Sequence, residues 1–213
     1  MSIRWSLVVP VKTLVAAKTR LAEATGPHRT RLAVAVACDT VSAVLACPLV
    51  ARAIVVTADP AAAGPLGALG AEVVPDPDLG LNTALRTGAA HAVRLEPGHA
   101  VGALQADLPA LRPAELAEVL AAAAEFDQSF VPDALDVGTT FYGVRPGVPF
   151  TPRFGGESRA RHLAGGAKEL LLPGVDSVRR DVDTPDDLRA ALALGLGRHT
   201  AAVVSDLWPD PAS

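Results

Sequence analysis

Through its first half the chain alternates short apolar runs with longer Ala-rich stretches, and turn residues separate one from the next. That alternation restricts the fold more than any other feature. Residues 5–11 predict a buried strand. A long helix is predicted from about Pro27, a favourable first helical position, to Cys47, where Pro48 stops it. A second strand over Arg52–Thr57 ends at Asp59-Pro60, and an Ala-rich helix then runs to about Gly70. Ala71–Val74 predicts a third strand, and Pro75–Gly80 a loop. Asn82 is placed to cap a helix from Thr83 to about Leu95. A fourth strand over His99–Gln105 breaks off at Asp107-Leu108-Pro109. Strands that alternate with helices in this way imply an α/β fold: a Rossmann-like, mostly parallel sheet with helices on both faces.

Beyond a helix starting at Pro113 the pattern changes. Ser129–Pro132 and Thr139–Val144 predict short strands with no helix between them, as in a hairpin or a mixed sheet edge. A glycine-containing loop and helix follow over Phe154–Gly166, then an extended segment over Val178–Asp183. Thr184-Pro185-Asp186-Asp187 reads as a helix start, with Asp187 in place of the usual Glu or Gln of a capping box. Residues 1–197 are expected to form a single domain, and 198–213 an irregular tail.

Composition narrows the function. Half of the 213 residues are hydrophobic but only 4% are aromatic, which favours helices packed closely on a sheet over an aromatic-rich sandwich. A net charge of −4 argues against a nucleic-acid partner. No apolar run is long enough to span a membrane, and the first strand is too short for a signal peptide, so a cytoplasmic protein is expected. Cys38 and Cys47 form no Cys-x-x-Cys unit and read as small buried hydrophobes. The P-loop, the G-x-G-x-x-G fingerprint and the G-x-S-x-G elbow are all missing, which disfavours a Walker-type NTPase, a simple NAD enzyme and a serine hydrolase.

In sheets of this kind ligands lie beyond the carboxyl ends of the strands. Lys12, Asp59, Asp107 and the Asp181/Asp183 pair all follow predicted strands. The chain has three lysines against sixteen arginines, yet Lys12 and Lys18 share one early loop with Arg20; a phosphate site or a merely solvated cluster would each produce that. Asp107 suits a Mg²⁺ ligand or a turn before Pro109. Asp181 and Asp183 lie two apart, so both carboxylates can project to one side and would repel without a cation, unless they belong to a solvated strand edge. Gly138-Thr139-Thr140 and Phe154-Gly155-Gly156-Glu157-Ser158 offer small residues, free N–H groups and hydroxyls to a phosphate or carboxylate, with Arg159 and Arg161 nearby. His162 reads as a hydrogen-bonded helix residue or a base.

Together these segments resemble the guanylyltransferase family that makes the first intermediate of the deazaflavin coenzyme F-420. The resemblance runs from Val9-Pro10-Val11-Lys12 through Ala17-Lys18-Thr19-Arg20-Leu21, Gly80-Leu81-Asn82, Asp107-Leu108-Pro109 and Phe154-Gly155 with Ser158 and His162, to Asp181-Val182-Asp183-Thr184-Pro185. It implies the nucleotide-diphospho-sugar transferase fold. It also implies transfer of GMP from GTP to a phosphorylated three-carbon acid, phosphoenolpyruvate or 2-phospho-L-lactate, with release of pyrophosphate. Carried over by position, Asp107, Asp181 and Asp183 would hold Mg²⁺, and Lys12, Asp59, Thr139, Gly155 and Ser158 would meet the acid, with Thr140 beside them. Lys18 and Arg20 would meet the triphosphate, and Asn82 would lie near the nucleoside. Lys12, Lys18, Arg20 and Asp107 form the expected catalytic set. A downstream transferase of the same pathway and a homodimer are compatible partners. Relatives acting on sugar phosphates or on the molybdenum cofactor carry a Gly-rich first loop that this chain lacks, yet such an enzyme is the alternative within the class. A binding subunit without activity is the alternative outside it.

Overall fold

The computed structural model describes residues 3–12 and 28–207. Strand β1 (Trp5–Pro10) is buried along its whole length because it lies between two parallel partners, β2 (Val50–Thr57) and β4 (Ala100–Leu104). Strand β3 (Glu72–Pro75) extends the parallel part beyond β2. On the other side of β4, β6 (Thr139–Val144) runs antiparallel; β5 (Gln128–Pro132) pairs with it, and the two-residue β7 (Lys168–Glu169) closes the edge. The order is β3-β2-β1-β4-β6-β5-β7. The parallel half and the mixed edge both match the expectation from sequence.

The side-chain period of a strand assigns the two faces. Leu7 and Val9 of β1 point into one apolar layer and Val8 into the other. The first layer is covered by α1 (Arg29–Ala46), α2 (Pro60–Ala68) and α4 (Pro113–Ala123). Helix α3 (Leu81–Leu95) covers the second with Ala84, Leu85, Ala89 and Ala92. It sits close to the sheet because Gly88 has no side chain: a Cβ there would lie 2.5 Å from a Val8 methyl and 2.8 Å from one of Val56. The Ala-rich α1 is buried on two sides, as an all-round apolar helix must be. Its outer side, with Leu32, Ala35 and Val36, packs on α7 (Pro185–Leu194) and α8 (Arg198–Leu207).

Three local expectations are corrected. The cap of α3 is Gly80, in the left-handed region at φ 91°, because the Asn82 side chain is engaged elsewhere. The loop and helix expected over 154–166 divide before Ser158: Gly155 and Gly156 have φ of 96° and 46°, which a right-handed helix excludes, and α5 spans Ser158–Ala164. Val178 and Arg179 belong to a short turn of helix, α6 (Asp176–Arg179), so only residues 180–184 precede α7 without regular structure. Residues 198–207, expected to be irregular, form α8. Asp39 of α1 caps that helix from a distance, accepting from His199 N at 3.0 Å and Thr200 N at 2.7 Å. The capping box at Thr184 and Asp187 forms as read, and both cysteines are free and buried.

Candidate active site

Because β1, β2 and β4 run parallel, their carboxyl ends share one edge of the sheet, and this edge gathers Lys12, Asp59 and Asp107. Strand β6 runs the other way, so its first residues reach the same edge: the Gln105 N–H donates to the Thr140 carbonyl at 2.9 Å. Lys12 is exposed. The Asp59 side chain caps α2 by accepting from Ala61 N at 2.9 Å. Lys18 and Arg20 lie outside the described residues.

The three carboxylates singled out as metal ligands come together. One oxygen from each of Asp107, Asp181 and Asp183 lies within 4.8 Å of the others. Two contacts hold them there. The Val182 N–H donates to the Asp107 carbonyl at 3.0 Å, which ties the second segment to the first. Val182 itself is fully buried against α1, α7 and α8, so Asp181 and Asp183 flank an inward-pointing residue. Thr40 of α1 clamps the peptides on either side of Asp107. Its hydroxyl accepts from Leu108 N at 3.1 Å and lies 3.1 Å from the Ala106 carbonyl and 3.0 Å from that of Val36. Burial, and then the charges of Asp107, Asp133 and Asp183, push the Asp181 carboxyl up to about 7. A cluster of hard oxygen donors whose members resist ionising together fits a divalent cation of the Mg²⁺ or Mn²⁺ kind.

Around the cluster the second set of expected residues assembles. Thr139 and Thr140 are buried at the start of β6, and no described group bonds the Thr140 hydroxyl. Ser158 is buried at the start of α5. Asn82 takes both main-chain groups of Phe154: its amide oxygen accepts from Phe154 N at 2.9 Å and its nitrogen donates to the carbonyl at 3.1 Å. It thereby fixes the loop that presents Gly155. The two arginines of α5 divide. Arg159 is held by Glu169 at 2.5 and 3.3 Å, whereas Arg161 is exposed, its Nη2 3.6 Å from where a Cβ on Gly156 would sit. Glu157 faces solvent, as expected for an acidic residue beside an anion site.

Several supporting residues gave no clear sign in the sequence. Asp133 folds the β5–β6 turn by accepting from Leu135, Val137 and Gly138 N–H groups at 3.2, 3.0 and 2.7 Å, and Gly138 must be glycine because a Cβ would strike that carboxylate. Pro132-Asp133 followed by Gly138 is the turn chemistry that could have flagged it. Arg179 donates to the Pro132 and Asp133 carbonyls and pairs with Asp136 at 2.6 Å. Thr40 had no local signal.

The sheet thus gathers carboxylates at its carboxyl edge, with hydroxyl- and glycine-bearing loops following. The family model described as "Guanylyl transferase CofC like" matches residues 5–207. The chain is 74% identical over 210 residues to a phosphoenolpyruvate guanylyltransferase of Streptosporangium roseum, covering 97% of this chain and 95% of the relative. It is 66% identical to the protein of that name from Thermomonospora curvata, over 94% of this chain and 89% of the relative. Among solved structures, a nucleotide-diphospho-sugar transferase fold from Desulfovibrio desulfuricans superposes with a TM-score of 0.67 at 19% identity, covering 99% of this chain and all of the other. A manganese complex of a Mycobacterium tuberculosis protein superposes at 0.55 and 21% identity, over 90% and 99% of the two chains. The chain belongs to the CofC-like guanylyltransferase family and is an enzyme of the nucleotidyltransferase class.

Proposed function

We propose that the protein transfers GMP from GTP to the phosphate of phosphoenolpyruvate, releasing pyrophosphate, as an early step of coenzyme F-420 biosynthesis. The observation that carries this reading is the convergence of Asp107, Asp181 and Asp183 at the edge where β6 also begins. The choice of acid follows the relatives at 74% and 66% identity, both phosphoenolpyruvate guanylyltransferases.

The attacking group is a phosphate oxygen, ionised at neutral pH, so no side chain has to remove a proton. Catalysis reduces to holding two anions in line and offsetting their charge. Asp107, Asp181 and Asp183 would hold the divalent cation, Mg²⁺ in this reading, which when bound would supply Lewis-acid charge neutralisation to the phosphates. Lys12 offers a cation at the end of β1, and Lys18 and Arg20 are assigned to the triphosphate. Thr139, Thr140, Gly155 and Ser158 are assigned to the acid, with Asp59 at the end of β2 bordering the same edge. Asn82, which holds the Phe154–Gly155 loop, is assigned to the nucleoside.

The reading is tested by pyrophosphate release from GTP and Mg²⁺ with phosphoenolpyruvate, 2-phospho-L-lactate and 3-phosphoglycerate offered separately, products being identified by mass. Release with phosphoenolpyruvate alone is expected. Release with a sugar phosphate and with none of the acids would overturn it. Asp107→Asn should lower turnover on the order of 100-fold with unfolding unchanged; near-normal turnover would remove Asp107 from the metal set.

A further inference from the structure

His162 lies on the buried side of α5 with 1% of its surface exposed. Its ring is stacked on Tyr142, with centroids 4.8 Å apart and planes 17° from parallel, and lies 5.5 Å from the Phe130 ring and 5.3 Å from that of Phe154. Both ring nitrogens have partners from different parts of the site. Nε2 lies 3.0 Å from the main-chain nitrogen of Arg153, and Nδ1 lies 3.0 Å from the Thr139 hydroxyl.

These contacts determine the tautomer. A main-chain N–H only donates, so Nε2 must accept and carries no proton. The proton of the neutral ring is therefore on Nδ1, and Nδ1–H donates to Thr139 Oγ1. Burial favours the same neutral form and pushes the His162 pKa down to about 4; a hydrogen bond to the Ser158 main chain opposes the shift, and Arg153 and Arg161 add to it. The Arg153 N–H and the Thr139 hydroxyl select this ring orientation, because a flip would put carbon atoms at both polar positions. The consequence falls on Thr139. With one lone pair occupied by Nδ1–H, its hydroxyl proton cannot point at His162, and no other described group takes it.

We propose that His162 is a positioning residue: by donating from Nδ1 to Thr139 it turns the threonine hydroxyl proton outward as a donor to the acid substrate. Through Nε2 the same ring holds the Arg153–Phe154 segment that presents Gly155, so one buried imidazole aligns both walls of the acid site. This rests on the reading that Thr139 faces the acid.

The first test uses the unmodified chain. Long-range nitrogen–proton NMR of the histidine rings should show His162 protonated on Nδ1 alone at neutral pH. Adding phosphoenolpyruvate should move the Nδ1–H resonance downfield, because a hydroxyl that donates to an anion becomes a better acceptor; GTP alone should leave it in place. The second test is kinetic. Thr139→Val and His162→Leu should each raise KM for the acid by about tenfold or more and leave KM for GTP within about twofold. The double variant should be no worse than Thr139→Val, and His162→Asn, which keeps a short N–H donor, should recover part of the loss. A proton on Nε2, an Nδ1–H signal that ignores the acid, or additive losses in the double variant would overturn the proposal. Should His162→Leu fail to fold, the NMR outcomes alone decide it. If the acid supports no pyrophosphate release, the functional reading fails; if it is turned over while Nδ1–H stays unmoved, only the role of His162 fails.

Discussion

The placement of Asp107 rests on a residue that touches no substrate. Thr40 is fully buried, and its hydroxyl bridges the peptides that flank Asp107. Thr40→Val keeps the shape and removes the bridge, leaving the Leu108 N–H buried without its acceptor at a cost of about 1–3 kcal/mol. The carboxylate then loses its fixed direction toward Asp181 and Asp183. We expect Thr40→Val to weaken Mn²⁺ binding by about tenfold, measured by titration calorimetry, and Thr40→Ser to restore it. Equal Mn²⁺ affinity in all three proteins would show that the clamp is irrelevant to the metal site. The contrast between the two residues explains what a sequence discloses. Asp107 stands out because it follows an apolar strand and precedes Leu-Pro, a local pattern with a chemical meaning. Thr40 sits in the middle of an Ala-rich helix, 66 residues from the carbonyl it meets, and nothing beside it marks it. His162 is intermediate: its place four residues after Ser158 was visible, but its contact with Thr139 depends on the sheet.

Helices α7 and α8 show the same division at the scale of elements. The start of α7 is closed by its own residues, Thr184 accepting from Asp187 N while the Asp187 carboxylate accepts from Thr184 N at 2.9 Å. That box is written in four consecutive positions and was legible. The start of α8 is closed by Asp39, some 160 positions away, and it follows Gly195-Leu196-Gly197, which by itself reads as loose chain. Gly197 is required there, since a Cβ would meet the Asp39 carboxylate carbon at 2.3 Å. The strands and helices of the first half were legible because each is periodic within itself. The helical turn of α6 was not, because tertiary partners decide it. Substitution should separate the two kinds of cap. Thr184→Ala should lower stability by about 1 kcal/mol. Asp39→Ala removes a charged acceptor from two N–H groups and should cost about 2–3 kcal/mol. Hydrogen exchange should show the Asp39 effect concentrated in α8; protection of α8 equal to that of the unmodified chain would mean that apolar packing against α1 suffices.

At the scale of the molecule, the two strongly displaced titrations among the described residues oppose each other. Burial and neighbouring carboxylates raise Asp181 from 3.8 to about 7, so between those values the folded chain holds a proton that the unfolded chain has lost. Stability therefore falls with rising pH across that window. Burial lowers His162 from 6.5 to about 4, so between those values the unfolded chain holds the extra proton, and stability rises with pH. From about pH 4 to 6.5 the two slopes nearly cancel, and metal-free protein should show a flat unfolding free energy there. Asp181→Asn removes one side of the balance, and its stability should climb from pH 4 to 6.5. Mg²⁺ or Mn²⁺ should also break the balance, because the ion competes with the Asp181 proton: stabilisation by the metal should grow with pH until about 7 and then level off. Urea unfolding at several pH values, with chelator and with metal, measures each curve. A profile for the unmodified chain that climbs as steeply as that of Asp181→Asn would show that Asp181 ionises normally in the folded chain. The carboxylate cluster would then hold its charges without the strain that makes it receptive to a cation.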